Sequence, residues 1–367
     1  MTRPVVDVVI AVHSSSRPVE RAARSVLHGT RSTPVVVTIV CHGLDPAVVE
    51  DRLGEAVRDP RVRIVPYADG VRSPAGPFNH GLDLATGEYT SVLGSDDLLE
   101  PGAVDSWVRR AREDRADVVI ARQRHQDGRP VRTPPVRPWR RSALDGVRDR
   151  LSYRSAPLGI VSRERFPGLR FTTGVAVGED IAYVTALWFG GARVSLDRGP
   201  AYVVTDDAVD RTTRAVRPVA EELAYLDVAL EACRALTPEQ VTAFVTKLLR
   251  VHVFGAVHNR QEPAAWDSGA RQDLARAADR LLVVAPRAAE PFSLADRRLL
   301  ADVRDPEAPV EDLLRHARDR RRFGSPSTLV TADPRRLLHR EAPVRFMAAS
   351  VLAGAARPAR GAVRGNE

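Results

Sequence analysis

Two short acidic clusters carry the chemistry that this chain's residues could perform. Gly94-Ser95-Asp96-Asp97 closes an apolar run, Tyr89-Thr90-Ser91-Val92-Leu93, and Gly178-Glu179-Asp180 follows about eighty residues later. Adjacent carboxylates at a strand end repel one another. A divalent cation that prefers hard oxygen ligands, Mg2+ or Mn2+, offsets that repulsion. A carboxylate at the start of an apolar helix is suited to take a proton as a general base. A cation bridging a diphosphate, together with a base, is the apparatus for moving a group off a nucleotide diphosphate. Each cluster also has a plain alternative. Asp96 and Asp97 could cap the next element, and Glu179 and Asp180 could be first-turn acids favoured by a helix dipole.

The elements that must position these acids alternate along the first half of the chain. Val5 to Val12 reads as a buried parallel strand, nearly continuous in apolar residues apart from Asp7. Val19 to Leu27 reads as a helix after Pro18, Val35 to Val40 as a second strand, Pro46 to Val57 as a second helix and Arg61 to Pro66 as a third strand. Asn79 to Ala85 reads as a helix and Thr90 to Leu93 as a fourth strand. A helix through Trp107 to Arg115 follows, then strands at Val118 to Ala121, Arg193 to Leu196 and Ala201 to Thr205, with a helix from Glu179 to Phe189. Such alternation predicts an α/β doubly wound sheet, whose ligands bind at the carboxyl ends of the strands. From about residue 216 the pattern turns helical, at Glu221 to Ala235, Pro238 to Val257, Ala270 to Val284 and Val310 to Arg321. We therefore expect a first domain over residues 1–215, a helical region over 216–325 and a basic tail over 326–367.

Composition excludes several classes. At 44% hydrophobic and 28% charged residues the chain is an ordinary globular one, not a disordered one. Its two cysteines, Cys41 and Cys233, form no CxxC pattern, so neither a disulfide framework nor a zinc site is expected and a reducing cytoplasm fits. Asp7 interrupts the opening apolar run, so no signal peptide is expected. The net charge of +8 rests almost wholly on arginine, with Lys247 the single lysine. No zinc-finger, basic-zipper or aromatic RNA-binding signature accompanies it, so no nucleic-acid partner is expected. In the tail, Val344 to Ala356 is apolar and flanked by arginines. It reads either as a peripheral helix on the inner, anionic face of a membrane or as a helix packed on its own domain or on a second subunit.

The residues resemble the family 2 glycosyltransferases of the GT-A fold. Asp7-Val8-Val9-Ile10-Ala11-Val12-His13 and Arg21-Ala22-Ala23-Arg24-Ser25-Val26-Leu27 are similar to that family's opening strand and helix. The stretch from Asn79 through Gly81, Ala85, Gly87-Glu88-Tyr89 and Leu93 to Ser95-Asp96-Asp97 is similar to its core, with Pro101 where a proline usually follows. Gly178-Glu179-Asp180 resembles the start of its base-bearing helix, preceded by a strand-like Gly159 to Glu164.

The resemblance implies a GT-A (nucleotide-diphospho-sugar transferase) mixed sheet over roughly residues 5 to 210. It implies an inverting transfer from a nucleotide-diphosphate sugar donor to a hydroxyl acceptor. Asp96 and Asp97 would hold the divalent cation, Asp180 would be the base, and Glu179 would orient it. His13, His42, Asp45, Asp69, Asn79 and Asp96 would line the donor site. Three departures stand out. The second strand ends Val40-Cys41-His42-Gly43-Leu44-Asp45 rather than in the family's paired acids, so His42 and Asp45 would meet the base and ribose. Gly94 stands where many members have a first acid. The segment Tyr202 to Asp207 lacks the usual diphosphate histidine, leaving that task to Arg211 or Arg214.

Trp139, in an arginine-rich loop, could stack on an acceptor sugar, whereas Trp188 reads as core. Transfer would build an envelope polysaccharide, a lipid-linked glycan or a natural product. A nucleotidyltransferase would need a glycine-rich phosphate loop that Ser14-Ser15-Ser16-Arg17 does not provide. The competing class is a non-catalytic scaffold of the same fold that binds a partner or a membrane through its helical region.

Overall fold

The computed structural model describes residues 3–131, 137, 139–154, 156, 158–205 and 217–355. In chain order the first half comprises β1 (Val6–Val12), α1 (Val19–Leu27), β2 (Val35–His42), α2 (Pro46–Leu53), β3 (Val62–Tyr67), α3 (Ala75–Asp83), β4 (Tyr89–Gly94), β5 (Leu98–Leu99), α4 (Ala103–Asp114), β6 (Val118–Ile120), β7 (Gln123–His125), β8 (Gly159–Ser162), α5 (Ile181–Phe189), β9 (Val194–Leu196) and β10 (Tyr202–Val204). Seven strands form one sheet in the order β3-β2-β1-β4-β8-β6-β9. β8 runs against both of its neighbours, and the other pairings are parallel. A second sheet, β5-β10-β7, lies at the end of β4.

β1 sits between β2 and β4, where the strand order reverses, and such a point opens a crevice at the carboxyl ends. The register lines those ends up, with Val12 opposite Cys41, Ala11 opposite Gly94, and His42 opposite Tyr67. Asp7, the acid inside β1, is 1% exposed. It is tolerated because its Oδ2 accepts from the backbone N–H groups of Thr86 (2.9 Å) and Gly87 (2.5 Å), fastening the turn that leads into β4. A Cβ at Gly87 would lie 2.8 Å from that same oxygen.

The second half is helical throughout: α6 (Val219–Glu222), α7 (Leu226–Ala232), α8 (Pro238–Lys247), a π-helical segment (Leu248–Val253), α9 (Phe254–Asn259), α10 (Ser268–Val284), α11 (Leu294–Arg304), α12 (Val310–Asp319), α13 (Pro326–Leu329) and α14 (Pro343–Ala355). It has no core of its own. Leu226, Phe244, Leu248 and Leu249 share one buried cluster with Tyr183, Leu187 and Trp188 of α5. The boundary expected near residue 216 falls at the edge of 206–216, outside the described residues.

Several expectations change in detail. α3 starts at Ala75 rather than Asn79, because Pro77 lies in its first turn, where no N–H partner is needed. The single helix expected over Pro238 to Val257 is divided by the π-helical segment. α11 was not anticipated, although Ser293 and Asp296 form a capping box at its start. Trp188 is core as read, with its indole N–H donating to Arg154 O at 3.1 Å, and Trp139 is 79% exposed.

The start of the tail is seated on the first half of the chain. Glu341 is 4% exposed and pairs with Arg150 and Arg250, while Phe346 packs edge-on to Tyr153 at 5.3 Å. Farther along α14, Val351 and Leu352 are exposed. Among the described residues, no helix is long and apolar enough to cross a membrane.

Candidate active site

Asp96 and Asp97 follow β4 directly, and their carboxylates are already engaged in different ways. Asp96 Oδ2 meets Arg17 Nη1 at 2.8 Å, with the two side chains 14% and 8% exposed. Arg17 precedes α1, so the pairing ties the β1–α1 turn to the end of β4. Arg21, one helical turn on, donates to the Asp96 carbonyl and, at 3.1 Å, to Thr205 Oγ1. Asp97 is anchored to β10, since Oδ2 accepts from the Tyr202 hydroxyl (2.7 Å) and Oδ1 from Thr205 N–H (2.9 Å). The Tyr202 oxygen in turn accepts from Gly94 N–H at 3.0 Å. Burial, and then the Asp97 carboxylate, hold the Tyr202 phenol well above its ordinary range, so it remains a donor. The two acids expected to hold the cation, directly or through water, are thus engaged differently. Asp97 braces the loop, and Asp96 presents the carboxylate beside the crevice. Neither Arg17 nor Arg21 was singled out as a site residue from sequence. The available signal was their position in the turn and first helix after β1.

The residues present suit a cation held mainly by its substrate. Among the described residues no three His, Cys, Asp or Glu side chains gather as a metal cage. Mg2+-type sites use one or two carboxylates and take their remaining ligands from phosphates and water. Asp96 is the carboxylate that would hold such a cation.

The donor-site expectations divide. His42 Nε2 and Asp69 Oδ1 are 2.8 Å apart, and the Tyr67 hydroxyl donates to Asp69 Oδ2 at 3.3 Å. Tyr67 also stacks on His80, with ring centroids 5.2 Å apart. These groups form an aromatic, hydrogen-bonding ledge at the ends of β2 and β3. Burial raises the Asp69 carboxyl, but the Val71 N–H and His42 outweigh it and leave it lowered.

Asp45 is instead the N-cap of α2, accepting from Ala47 N–H at 2.9 Å. Asn79 is likewise taken. Its amide donates to Phe171 O (2.9 Å) and accepts from Phe171 N–H (2.8 Å), so it clamps the segment that leads to Glu179 onto α3. Both contacts share one cause, because a short amide or carboxylate readily satisfies nearby backbone groups. His13 stands exposed at the end of β1. Arg211 and Arg214 lie outside the described residues.

Two left-handed residues, Gly178 and Ala156, frame the second acidic cluster. Gly178 has φ of 76°, and a Cβ there would lie 2.4 Å from the Tyr225 ring. Asp180, the residue before α5, accepts from Ala156 N–H at 2.5 Å, and Ala156 itself adopts a left-handed φ of 49°. Non-glycine residues hold that conformation only where surrounding structure imposes it. Burial, then the adjacent Asp180 charge, push the Glu179 carboxyl up to about 7. Glu179 therefore keeps its proton below about pH 7.

This shift has a measurable sign. A carboxyl raised in the folded state binds more protons folded than unfolded between about pH 4.5 and about pH 7. Its contribution to stability is fully present below that window and is lost as pH rises through it. Glu179→Gln should therefore flatten the fall of Tm across that window and raise Tm at pH 8 relative to the native chain. A variant whose Tm falls in parallel with the native protein would show that Glu179 titrates normally.

Comparison with known proteins agrees with this architecture. Residues 7–166 match the family described as "Glycosyl transferase family 2". The chain is 27% identical over 233 residues to "Succinoglycan biosynthesis protein ExoO" of Rhizobium meliloti (strain 1021), a match covering 58% of this chain and 64% of that protein. Among solved structures it is similar to S. aureus TarS 1-349 in complex with UDP-GlcNAc. There the TM-score is 0.68 at 14% identity, over 86% of this chain and 91% of that one. The same protein in complex with UDP aligns with a TM-score of 0.62. At such identities the structural likeness speaks for the fold. Residues 7–166 thus match glycosyl transferase family 2, on a mixed sheet of the GT-A type followed by a helical region.

Proposed function

We propose that the protein transfers a sugar from a nucleotide-diphosphate sugar to an acceptor hydroxyl, with inversion at the anomeric carbon. The observation that carries this reading is the Asp96–Arg17 pair at the sheet's switch point, with the Glu179–Asp180 pair on a segment clamped to the neighbouring α3. The nucleoside end of the donor lies against His42, Asp69 and Tyr67, where a base can stack and hydrogen-bond. Arg17, released from Asp96 or shared with it, meets the diphosphate as a fixed cation. A divalent cation held by Asp96 supplies further neutralisation of charge on the departing diphosphate.

Asp180 takes the proton of the acceptor hydroxyl. The freed oxygen forms its bond to the anomeric carbon as that carbon's bond to the diphosphate oxygen breaks on the opposite face. The nucleoside diphosphate leaves with the electron pair. Glu179, which keeps its proton below about pH 7, orients its neighbour. Residues 1–215 then form the catalytic unit, and the helical region behind α5 supports the base-bearing turn.

Two of the similar structures contain UDP or UDP-GlcNAc, and one similar protein is named for polysaccharide biosynthesis. UDP-sugars are therefore the first donors to test. The experiment measures thermal shift with UDP, GDP, dTDP and CDP, with and without Mn2+, alongside release of nucleoside diphosphate from UDP-GlcNAc. A nucleotide at a hundred times its dissociation constant should stabilise the protein by about 2.7 kcal/mol. Metal-dependent stabilisation by one nucleotide is the expected result. The absence of any response across the four would overturn the donor-site reading.

A further inference from the structure

The start of the tail is fastened through a buried network of charges. Glu341, just before α14, accepts from the Tyr153 hydroxyl at 2.9 Å. Its carboxylate also lies 3.5 Å from Arg250 Nη1 and 3.7 Å from Arg150 Nε. Arg150 donates to the Arg340 carbonyl, and its guanidinium lies over the Phe346 ring, 5.2 Å from the centroid. Arg250, in the π-helical segment, donates to the Tyr153 oxygen at 3.2 Å and faces Asp296 of α11 at 3.9 Å. Burial and the Glu341 carboxylate hold the Tyr153 phenol above its ordinary range, so it remains a donor. Buried ion pairs give little net stability once desolvation is counted. Stability alone is therefore a poor account of this network.

What the network grips is the short segment that leads to the second acidic cluster. Arg150 has φ of 54°, and Tyr153 N–H and Arg154 N–H close a tight turn onto the carbonyls of Arg150 and Leu151. From the other side, Trp188 of α5 donates to the Arg154 carbonyl at 3.1 Å. Two positions past Arg154, Ala156 gives its N–H to Asp180 Oδ2 at 2.5 Å, from a backbone at φ of 49°. A non-glycine residue at that φ is held there by its surroundings. The holds just before it in the chain are the Glu341 network and Trp188. The direction of the Asp180 carboxylate thus depends on a backbone donor whose place is set in part from the tail.

We propose that Glu341 is a positioning residue for Asp180: by seating Tyr153 and Arg150 it holds the Ala156 N–H on the carboxylate, so the tail completes the base-bearing turn from outside the first domain. The proposal rests on the reading of Asp180 as the base. It assigns Glu341 no contact with substrate. The ledge of His42, Asp69 and Tyr67 stands at the ends of β2 and β3 and is held by its own hydrogen bonds. Loosening the tail contact should therefore disturb the base and spare the donor.

The test compares the full chain with Glu341→Gln, which keeps the side chain's size and an acceptor for Tyr153 but removes the charge facing Arg150 and Arg250. Amide hydrogen exchange, read residue by residue by NMR without substrate, should show the protection of the Ala156 N–H falling by about tenfold or more, because a local hold is lost. Unchanged protection at Ala156 overturns the proposal. For release of UDP from UDP-GlcNAc, kcat should fall by about ten- to a hundredfold, the scale of a slightly misplaced group, with KM for the donor unchanged. An unaltered kcat, or a KM that rises with it, would also overturn it. In an Asp180→Asn background Glu341→Gln should cost no further turnover, since both act through one carboxylate. A loss that multiplies would mean that Glu341 merely supports the fold. Tyr153→Phe, which removes only the hydroxyl between the tail and the segment, is read in the same way if Glu341→Gln does not fold. Turnover that survives in Asp180→Asn would refute the base itself, a result distinguishable from the exchange at Ala156, which needs no substrate.

Discussion

Asp180→Asn should lower the rate of nucleoside diphosphate release about 1,000-fold, the scale on which a positioned general base contributes. The substitution keeps the shape of the side chain, and an amide oxygen can still accept from Ala156 N–H. What it removes is the ability to take the acceptor's proton. Nucleotide affinity, measured by the thermal shift with and without Mn2+, should stay within about twofold of the native value, because the lost interaction is made only as the hydroxyl reacts. Loss of both together would place Asp180 in the donor pocket. Retention of both would leave the base to be found elsewhere, with Glu179 the first candidate above pH 7, where it ionises.

The second large effect is expected at Asp96. In Asp96→Asn, Mn2+ should no longer strengthen nucleotide binding, and turnover should fall by about 100- to 1,000-fold, the range seen when one preorganised electrostatic contact is removed. The same change breaks the Asp96–Arg17 ion pair, so a loss of about 1–3 kcal/mol of stability should accompany it, read from urea unfolding. Arg17→Gln separates the two effects. It breaks the same pair but keeps the carboxylate, so stability and donor affinity should fall while the response to Mn2+ persists. If Asp96→Asn left the Mn2+ response intact, the cation would not be held there.

The roles of Asp96 and Asp97 mark where reading from sequence alone stops. Their identity, their neighbours and their place after an apolar strand are local facts, legible as soon as the run from Tyr89 to Leu93 is recognised as a strand. Which of the two is already spoken for is not local. Asp97 is claimed by Tyr202 and Thr205, more than a hundred residues on, and Asp96 by Arg17, far upstream. The same holds for Asn79, whose partner Phe171 lies 92 residues away. An amide in a helix offers no sign of such a clamp until the segments are packed together. β5 and β7 escaped notice for a related reason, since two- and three-residue strands carry no periodicity.

By itself, then, the sequence determined the alternation of strands and helices over the first half, the helical second half, and the two acidic clusters at the starts and ends of elements. Periodicity, turn residues and short motifs depend only on near neighbours, and all of these features are written at that range. Only the tertiary structure decided that Asp97 and Asn79 are braces, that Arg17 faces Asp96, and that the helical region shares its core with α5 and buries the sole lysine. Those outcomes depend on which groups meet across the fold and on which of them burial leaves without water. Burial and partnership are properties of the packed chain, and no window along it contains them.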